Sequence, residues 1–288
     1  MYIIKIGFKK YILYNDVIST TRRREHKGRR KEKMEMFAGQ PTVMGRKGKD
    51  DDLEIDLEAG GVSDRLYPGI GYGENQLRWG FIQKVYGILC AQILLTTLVS
   101  SLFVLYPPIS TGLQNTPALG LAFAILPFIL LIPLYHYQQK HPLNFVFLGL
   151  FTMCLSLSVG VACANTAGKI VLQALVLTSA VVVSLTGYTF WASRKGKDFS
   201  FLGPFLFAGL TILVLTSFIQ IFFPFGSTSS AVIAGAGAFI FCGYLVYDTD
   251  NLIKRFNYDE YIWASVILYL DILNLFITIL NLLRSSEG

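Results

Sequence analysis

The chain has 288 residues, of which 53% are hydrophobic and only 15% are charged, below the charged fraction of about a quarter that is usual in globular proteins. The net charge of +6 comes from the N-terminal region. Residues 1–50 hold fourteen Lys or Arg against five Asp or Glu, whereas residues 51–288 hold eleven against fourteen. The basic charge therefore belongs to the tail and says nothing about the body of the protein. We predict no nucleic-acid partner, and the apolar remainder excludes a soluble globular protein.

Residues 1–77 are predicted to form a disordered, basic cytosolic tail and a linker. Basic blocks at 22–24 and 29–31 precede an acidic run at 50–54, a charge pattern that is typical of solvated tails. Glycines at 60–61 and in the segment 67–73 favour a flexible connection into the body of the protein.

Seven apolar runs follow in the segment 78–284, each of about the 17–25 residues that a bilayer core requires. Small residues at 234–238, in the sixth run, predict a close approach of helix backbones. The sequence therefore predicts an all-α polytopic membrane protein with seven transmembrane helices, at residues 81–105, 118–135, 145–162, 171–191, 201–223, 231–247 and 261–283.

The basic residues of the short loops predict the orientation. If the N-terminus is cytosolic, the cytosolic loops hold six basic residues, whereas the opposite loops hold only Lys169. This asymmetry follows the positive-inside rule and argues against a G-protein-coupled receptor, whose N-terminus lies outside. The six basic residues are Lys140, Arg194, Lys195, Lys197, Lys254 and Arg255.

The seventh run carries a carboxylate where a bilayer-spanning sequence normally has none. An ionised Asp at this depth costs about 3 kcal/mol or more, so Asp271 is expected to face a partner or a water-filled cavity. Asn274 and Thr278 follow it at i+3 and i+7, on the same helical face. A second acid, Asp248, ends the sixth apolar run, and we expect the fold to bring the two together. The alternatives are that Asp248 ends its helix in headgroup water and that Asp271 is a protonated packing residue.

Such a pair predicts a proton-controlled gate. Two carboxylates close together in a low dielectric cannot both ionise cheaply, so they share one proton. Losing that proton leaves two like charges, and their repulsion would separate the sixth and seventh helices. Calcium prefers six to eight oxygen ligands, so Asp248 and Asp271 are also a candidate transient calcium site, with Asn274 and Thr278 as candidate lining or cation-contacting residues.

The sequence shows no set of residues for enzymatic catalysis. Its four cysteines lack CxxC spacing, its three histidines lie in the tail and one loop, and no P-loop motif occurs. We therefore predict no catalytic residue, no enzyme and no organic cofactor. One catalytic alternative is an intramembrane aspartyl protease, because Tyr247-Asp248 matches that class's Tyr-Asp motif; its second motif, Gly-x-Gly-Asp, is missing before Asp271.

Six segments together resemble the Bax inhibitor-1 superfamily, and most closely its LIFEGUARD branch in the form found in plants. The resemblance covers about residues 66–284, and the segments around the two aspartates are its most distinctive part. The segments are LRWGFIQKVY at 77–86, HPLN at 141–144, FLGPFLF at 201–207, YDTDNLIK at 247–254, DEYIWA at 259–264 and LYLDILNLF at 268–276.

The resemblance implies two three-helix layers around a central seventh helix. It also implies a pH-sensitive calcium leak in internal membranes that suppresses cell death, with the two-aspartate sensor at Asp248 and Asp271. The second span has no Lys or Arg that could pair with these carboxylates. A basic partner would then be Arg78 or Lys84, unless a proton or a cation neutralises the pair.

The same resemblance implies the partners and the location. The expected partners are the lipid bilayer, calcium as the permeant or transiently bound ion, and other membrane proteins of cell-death or stress pathways. The expected membrane is the endoplasmic reticulum, the Golgi or the vacuole, with the plasma membrane as an alternative. The alternative function is a non-conducting anti-apoptotic scaffold that acts through protein partners.

Overall fold

The computed structural model describes residues 65–106 and 117–287, and within these ranges the chain forms seven α-helices and no β-strand. This confirms the predicted all-α class. The prediction of a disordered tail concerns residues 1–64, outside the described ranges. The helices are α1 (Tyr72–Leu105), α2 (Pro117–His136), α3 (Leu143–Ala164), α4 (Gly168–Arg194), α5 (Leu202–Phe222), α6 (Ser227–Lys254) and α7 (Tyr261–Glu287).

The helices have the dimensions of membrane spans. All of them except α2 combine at least 18 residues with a strongly apolar stretch that carries few charges. Helix α2 has 20 residues, which corresponds to about 30 Å of helix, and it is apolar over Ile125–His136. The chain is therefore an integral, polytopic membrane protein, as predicted.

The first helix begins earlier than the predicted domain start at residue 78. Helix α1 starts at Tyr72, inside the segment that was predicted to be a linker. The preceding residues fold back on it, because Leu66 and Ile70 are buried and the Leu66 N–H donates to Asn75 Oδ1 at 3.0 Å. Buried apolar contacts thus make this segment part of the helical domain.

Helix α7 lies at the centre of the domain. It packs against α1, α3, α4 and α6, whereas α2 packs on α3 and α5 packs on α6. Nearly every residue of α7 from Tyr261 to Leu280 is buried, which agrees with its being apolar on all sides apart from a few polar positions. Helices α1–α3 and α4–α6 therefore form two layers with α7 between them.

Successive helices run in opposite directions, so the bundle has two ends. The near end holds the start of α1 and the loops at 137–142, 195–201 and 255–260, and contacts between these segments tie them together. The far end holds the C-terminus of α1, the turn at 165–167, the α5–α6 connection and the end of α7.

Candidate functional site

The polar stripe of α7 is buried and faces α6. Asp271 is 1% exposed, and Asn274 and Thr278 are fully buried. Thr278 marks the direction of the stripe, because a Cβ atom added at Gly237 of α6 would lie 2.9 Å from its Cγ2 atom. Asp271 lies two turns before Thr278 on the same face. The small residues of α6 thus allow the close approach that the sequence predicted.

Asp248 is also buried, although the sequence placed it at the end of its helix. Helix α6 continues to Lys254, and Asp248 is only 7% exposed. The alternative that Asp248 ends its helix in headgroup water is therefore wrong. At 1.5 Å per residue, Asp248 lies about 9 Å from the near end of α6 and Asp271 about 15 Å from the near end of α7. Both carboxylates belong to the same half of the same helix pair.

Asn274 adds an oxygen acceptor to this region. Its side-chain amide donates to the Leu270 carbonyl oxygen at 2.7 Å, while its Oδ1 atom is buried without a hydrogen-bond partner among the described residues. The Thr278 hydroxyl lies 2.9 Å from the Asn274 carbonyl oxygen and 2.8 Å from that of Leu275, so its proton is used within α7. Carboxylate and amide oxygens are the ligands that hard cations prefer.

Arg78 reaches the loop that joins α6 to α7. It is 6% exposed, and its guanidinium donates through Nη1 to the Phe256 carbonyl oxygen at 2.5 Å. The same group lies 4.7 Å from the ring centre of Tyr258 and 5.9 Å from that of Phe81. These contacts hold α1 to the loop, and a role for Arg78 as partner of the aspartates stays a prediction.

Lys84 reaches the first residue of α7. Its ammonium group lies 3.3 Å from the ring centre of Tyr261, a cation–π contact. The Tyr261 hydroxyl is 2.7 Å from His141 Nε2 and accepts from the Asn144 amide at 3.2 Å. This cluster joins α1, α3 and α7 at the near end, and pairing of Lys84 with the aspartates likewise stays a prediction.

Sequence reasoning missed a near-end contact centred on Asp250. This residue is 1% exposed and forms an ion pair with Lys254 at 2.5 Å. Its other oxygen accepts from the Phe199 N–H at 3.3 Å, and Lys254 also donates to the Lys197 carbonyl oxygen. The i, i+4 spacing of Asp250 and Lys254 on one helix could have predicted their ion pair from the sequence.

An exposed ion pair lies beside the buried Asp250 contact. Arg255 lies 3.5 Å from the carboxylate of Asp198 and donates to the Ser200 hydroxyl oxygen. The hydrogen bond that the Ser200 hydroxyl donates to Asp198 holds the pKa of that carboxyl below its usual range. Together with Asp250, these residues fasten the α4–α5 loop to the end of α6.

A second missed feature is a neutral polar network on the opposite side of α7. The hydroxyl oxygens of Tyr269 and Thr96 are 2.6 Å apart, and Ser156 donates to Thr96 at 3.0 Å. The Gln92 amide donates to the Thr152 hydroxyl oxygen at 3.1 Å. All five side chains are buried. Scattered hydroxyl residues on three helices give no one-dimensional pattern that predicts this network.

Comparison with known proteins decides the family. The chain matches the family described as inhibitor of apoptosis-promoting Bax1 over residues 78–288. It belongs to the Bax inhibitor-1 family. The Bax inhibitor-1 domain thus contains both aspartates, the near-end contacts and the neutral network described above.

Several Bax inhibitor-1 relatives cover most of this chain. It is 65% identical to the BI1-like protein of Arabidopsis thaliana, over 82% of this chain and 92% of that protein. It is 52% identical to Protein LIFEGUARD 4 of the same plant, over 82% and 96%. Identity with the Golgi anti-apoptotic protein of vaccinia virus strain Lister is 41%, over 73% and 87%. The predicted likeness to the Bax inhibitor-1 and LIFEGUARD proteins is confirmed.

Proposed function

We propose that this Bax inhibitor-1 protein is a pH-gated calcium leak of an internal membrane that restrains cell death. The observation that carries the proposal is the burial of two carboxylates, Asp248 and Asp271, in the helix pair α6–α7. The names of its relatives support the biological setting, since one of them is a Golgi anti-apoptotic protein. The family and its membrane-spanning helices are consistent with an endomembrane location.

The gate works through a proton shared by the two carboxylates. In the protonated state the pair holds α6 and α7 together, and in the deprotonated state two like charges repel each other. At a separation of about 4 Å this repulsion amounts to roughly 4 kcal/mol at an effective dielectric constant of 20. A change of this size shifts an equilibrium between closed and open states by on the order of a thousandfold.

The cation path would use the same region of α7. Asp248 and Asp271 supply up to four oxygens, and the buried Oδ1 atom of Asn274 lies one turn beyond Asp271. Calcium would complete its shell with water. A weak, partly hydrated site suits conduction, because an ion that is held tightly does not leave.

Calcium flux into liposomes tests the proposal. The full-length protein is reconstituted, and the entry of calcium is followed with a trapped fluorescent indicator over a range of pH values. Flux through the wild type is expected to rise with pH. Asp271→Asn and Asp248→Asn should each abolish this pH response, and the double variant should add little because coupled groups are not additive.

Asp198→Asn is the matched control, because this carboxylate is exposed in the α4–α5 loop. It should leave the pH response of the flux intact. If Asp248→Asn and Asp271→Asn both retain the full response, the two-aspartate gate is wrong.

A non-conducting scaffold is the second candidate. The tight contact of Gly237 with Thr278 favours it, because a closely packed α6–α7 pair also suits a rigid strut. A scaffold predicts no calcium flux at any pH from purified protein, together with retained protection against cell death in cells. Its partners would be other membrane proteins of cell-death or stress pathways.

The proposed orientation has a cytosolic N-terminus and a C-terminus on the lumenal side. An epitope added after Gly288 should be protected from added protease in sealed microsomes, whereas the near-end loop at 195–201 should be accessible. Cleavage of the epitope in intact microsomes would contradict this orientation.

A further inference from the structure

A cavity of about 450 Å³ separates the two layers in the far half of the bundle. Helix α1 forms one wall, α4 forms the other, and α7 forms the floor. This size lies within the range of about 300–1,000 Å³ that is common for small-molecule sites. Representative lining residues are Thr97 and Ser100 of α1, Val171 and Leu175 of α4, and Ile272 and Phe276 of α7.

The rim of the cavity is apolar. Leu105 is 71% exposed, Leu172 is 62% exposed and Val183 is 72% exposed. The lining residues, all within the described part of the chain, include no charged side chain. Since these exposed aliphatic side chains belong to membrane-spanning helices, the opening between α1 and α4 faces the hydrocarbon of the bilayer.

Four of the hydroxyl groups in the lining need no hydrogen-bond partner from a ligand. Thr97, Ser101, Thr178 and Ser179 each donate to the carbonyl oxygen four residues earlier in their own helix. Their protons are therefore already used, and the wall that remains is mainly aliphatic. The exception is the Ser100 hydroxyl, which is buried without a hydrogen-bond partner among the described residues. Hydrocarbon therefore suits the whole wall except this one group.

The length of the cavity matches an extended chain. Its α1 wall extends from Ile93 to Leu105, which corresponds to about 18 Å along the helix. A cavity of this length suits one extended hydrocarbon chain that lies along the helices.

We propose that this cavity binds one acyl chain of a bilayer phospholipid, which enters sideways between α1 and α4. The chain would lie on Ile272 and Phe276, and these residues flank Asn274 on α7. A bilayer lipid would thereby contact the central helix, which the two layers otherwise enclose. The inference does not depend on calcium conduction.

Photolabelling tests the proposal. The full-length protein is reconstituted in phosphatidylcholine liposomes that contain a phosphatidylcholine with a diazirine in the middle of one acyl chain. After irradiation, labelled residues are identified by peptide mass spectrometry. Label on Ile272, Leu273 or Phe276 is expected, and it is diagnostic because these α7 residues are buried or enclosed by the bundle.

Two leucines of α4 provide a matched pair of variants. Leu175 lines the cavity, whereas Leu177 is 47% exposed and lies outside it. Leu175→Trp puts a bulky ring into the cavity and should lower the labelling of α7 by about fivefold or more, whereas Leu177→Trp should leave it unchanged. Should Leu175→Trp fail to fold, Val171→Trp and Val176→Trp form a second pair, since Val171 lines the cavity and Val176 is 60% exposed outside it.

Three outcomes would overturn the inference. The first is label confined to exposed residues, with none on α7. The second is equal labelling of α7 in the lining and the control variants. The third is labelling of α7 by a diazirine sterol but not by the phosphatidylcholine probe. Because the readout contains no ion flux, failure here leaves the proposed leak function untouched, and failure of the leak leaves this result standing.

Discussion

Two faces of α7 differ in the kind of polar group that they bury. Toward α1 and α3, Tyr269 joins a neutral network of hydroxyl and amide groups that hydrogen-bond to one another. Toward α6, the same helix buries Asp271 and Asn274. Hydroxyl and amide groups keep the same charge at every physiological pH. The face toward α1 and α3 therefore suits holding the bundle together, and the face toward α6 is the one that the proposed proton gate uses.

The strongest test of this contrast is Asn274→Leu, on the face toward α6. We expect calcium flux in liposomes to fall by about tenfold while the melting temperature stays unchanged, because a polar contact of the ion path becomes apolar. Asn281→Leu is the comparison on the same helix, about 10 Å farther along. This variant should lower the melting temperature, and its flux should fall only as the protein unfolds. If Asn274→Leu lowers the melting temperature, Asn274 is a packing residue and does not line the ion path.

Lys254→Met tests whether burial, rather than charge alone, decides the strength of a polar contact. The substitution leaves the buried carboxylate of Asp250 without its ion pair and should cost about 2 kcal/mol of stability. Arg255→Met removes the neighbouring exposed pair with Asp198 and should cost about 0.5 kcal/mol or less. Thermal unfolding in detergent measures both. Equal losses would show that the Asp250 contact has no special role in fastening the α4–α5 loop.

Gly237→Ala tests how closely the face toward α6 is packed. The new methyl group would lie 2.9 Å from Thr278 Cγ2, and we expect destabilisation by about 1 kcal/mol or more. Adding Thr278→Ser removes the opposing methyl group and should restore stability, a non-additive result.

Gly235→Ala is the control for that experiment, because its methyl group would be 3.9 Å from the nearest side-chain atom, on Leu282. The melting temperature of this variant should equal or exceed that of the wild type, since Ala favours helix more than Gly. If both glycine variants destabilise equally, a close α6–α7 contact at Gly237 is not the cause.

Tyr269→Phe should have a small effect, because it removes one neutral hydrogen bond from the other face. The expected loss is about 0.6 kcal/mol, the average for such bonds between membrane helices. The pH dependence of calcium flux should not change. A changed pH dependence would mean that the neutral network takes part in the gate, and the contrast between the two faces would be lost.

Much of the fold could be predicted from the sequence. Five of the predicted spans begin and end within four residues of the observed helix bounds, because length and hydropathy alone identify a segment that can cross a bilayer. The boundaries differ where tertiary contacts extend a helix. Residues 72–77 join α1 because Asn75 holds the preceding segment, and α6 runs beyond residue 247 to Lys254.

The candidate site was partly predictable for a similar reason. An acid within an apolar run can be recognised from the sequence, so the sequence alone is enough to single out Asp271. Asp250 resembles its neighbour Asp248 in the sequence, yet it contacts the α4–α5 loop instead of the bundle interior. The sequence offers Arg78 and Lys84 as basic partners, and in the structure they contact Phe256, Tyr258 and Tyr261. Which partner a side chain meets depends on residues distant in the chain.

By itself, the sequence determined the membrane class, the positions of the seven described helices, the family and the presence of a buried acid in the last helix. These follow from local composition and spacing, because a bilayer imposes the same demand on every segment that crosses it. Only the tertiary structure decided that Asp248 is buried rather than solvated, that Thr278 packs on Gly237, and that Tyr269 faces a neutral network. Those facts depend on which helix faces lie together, and that is settled by packing among all seven helices.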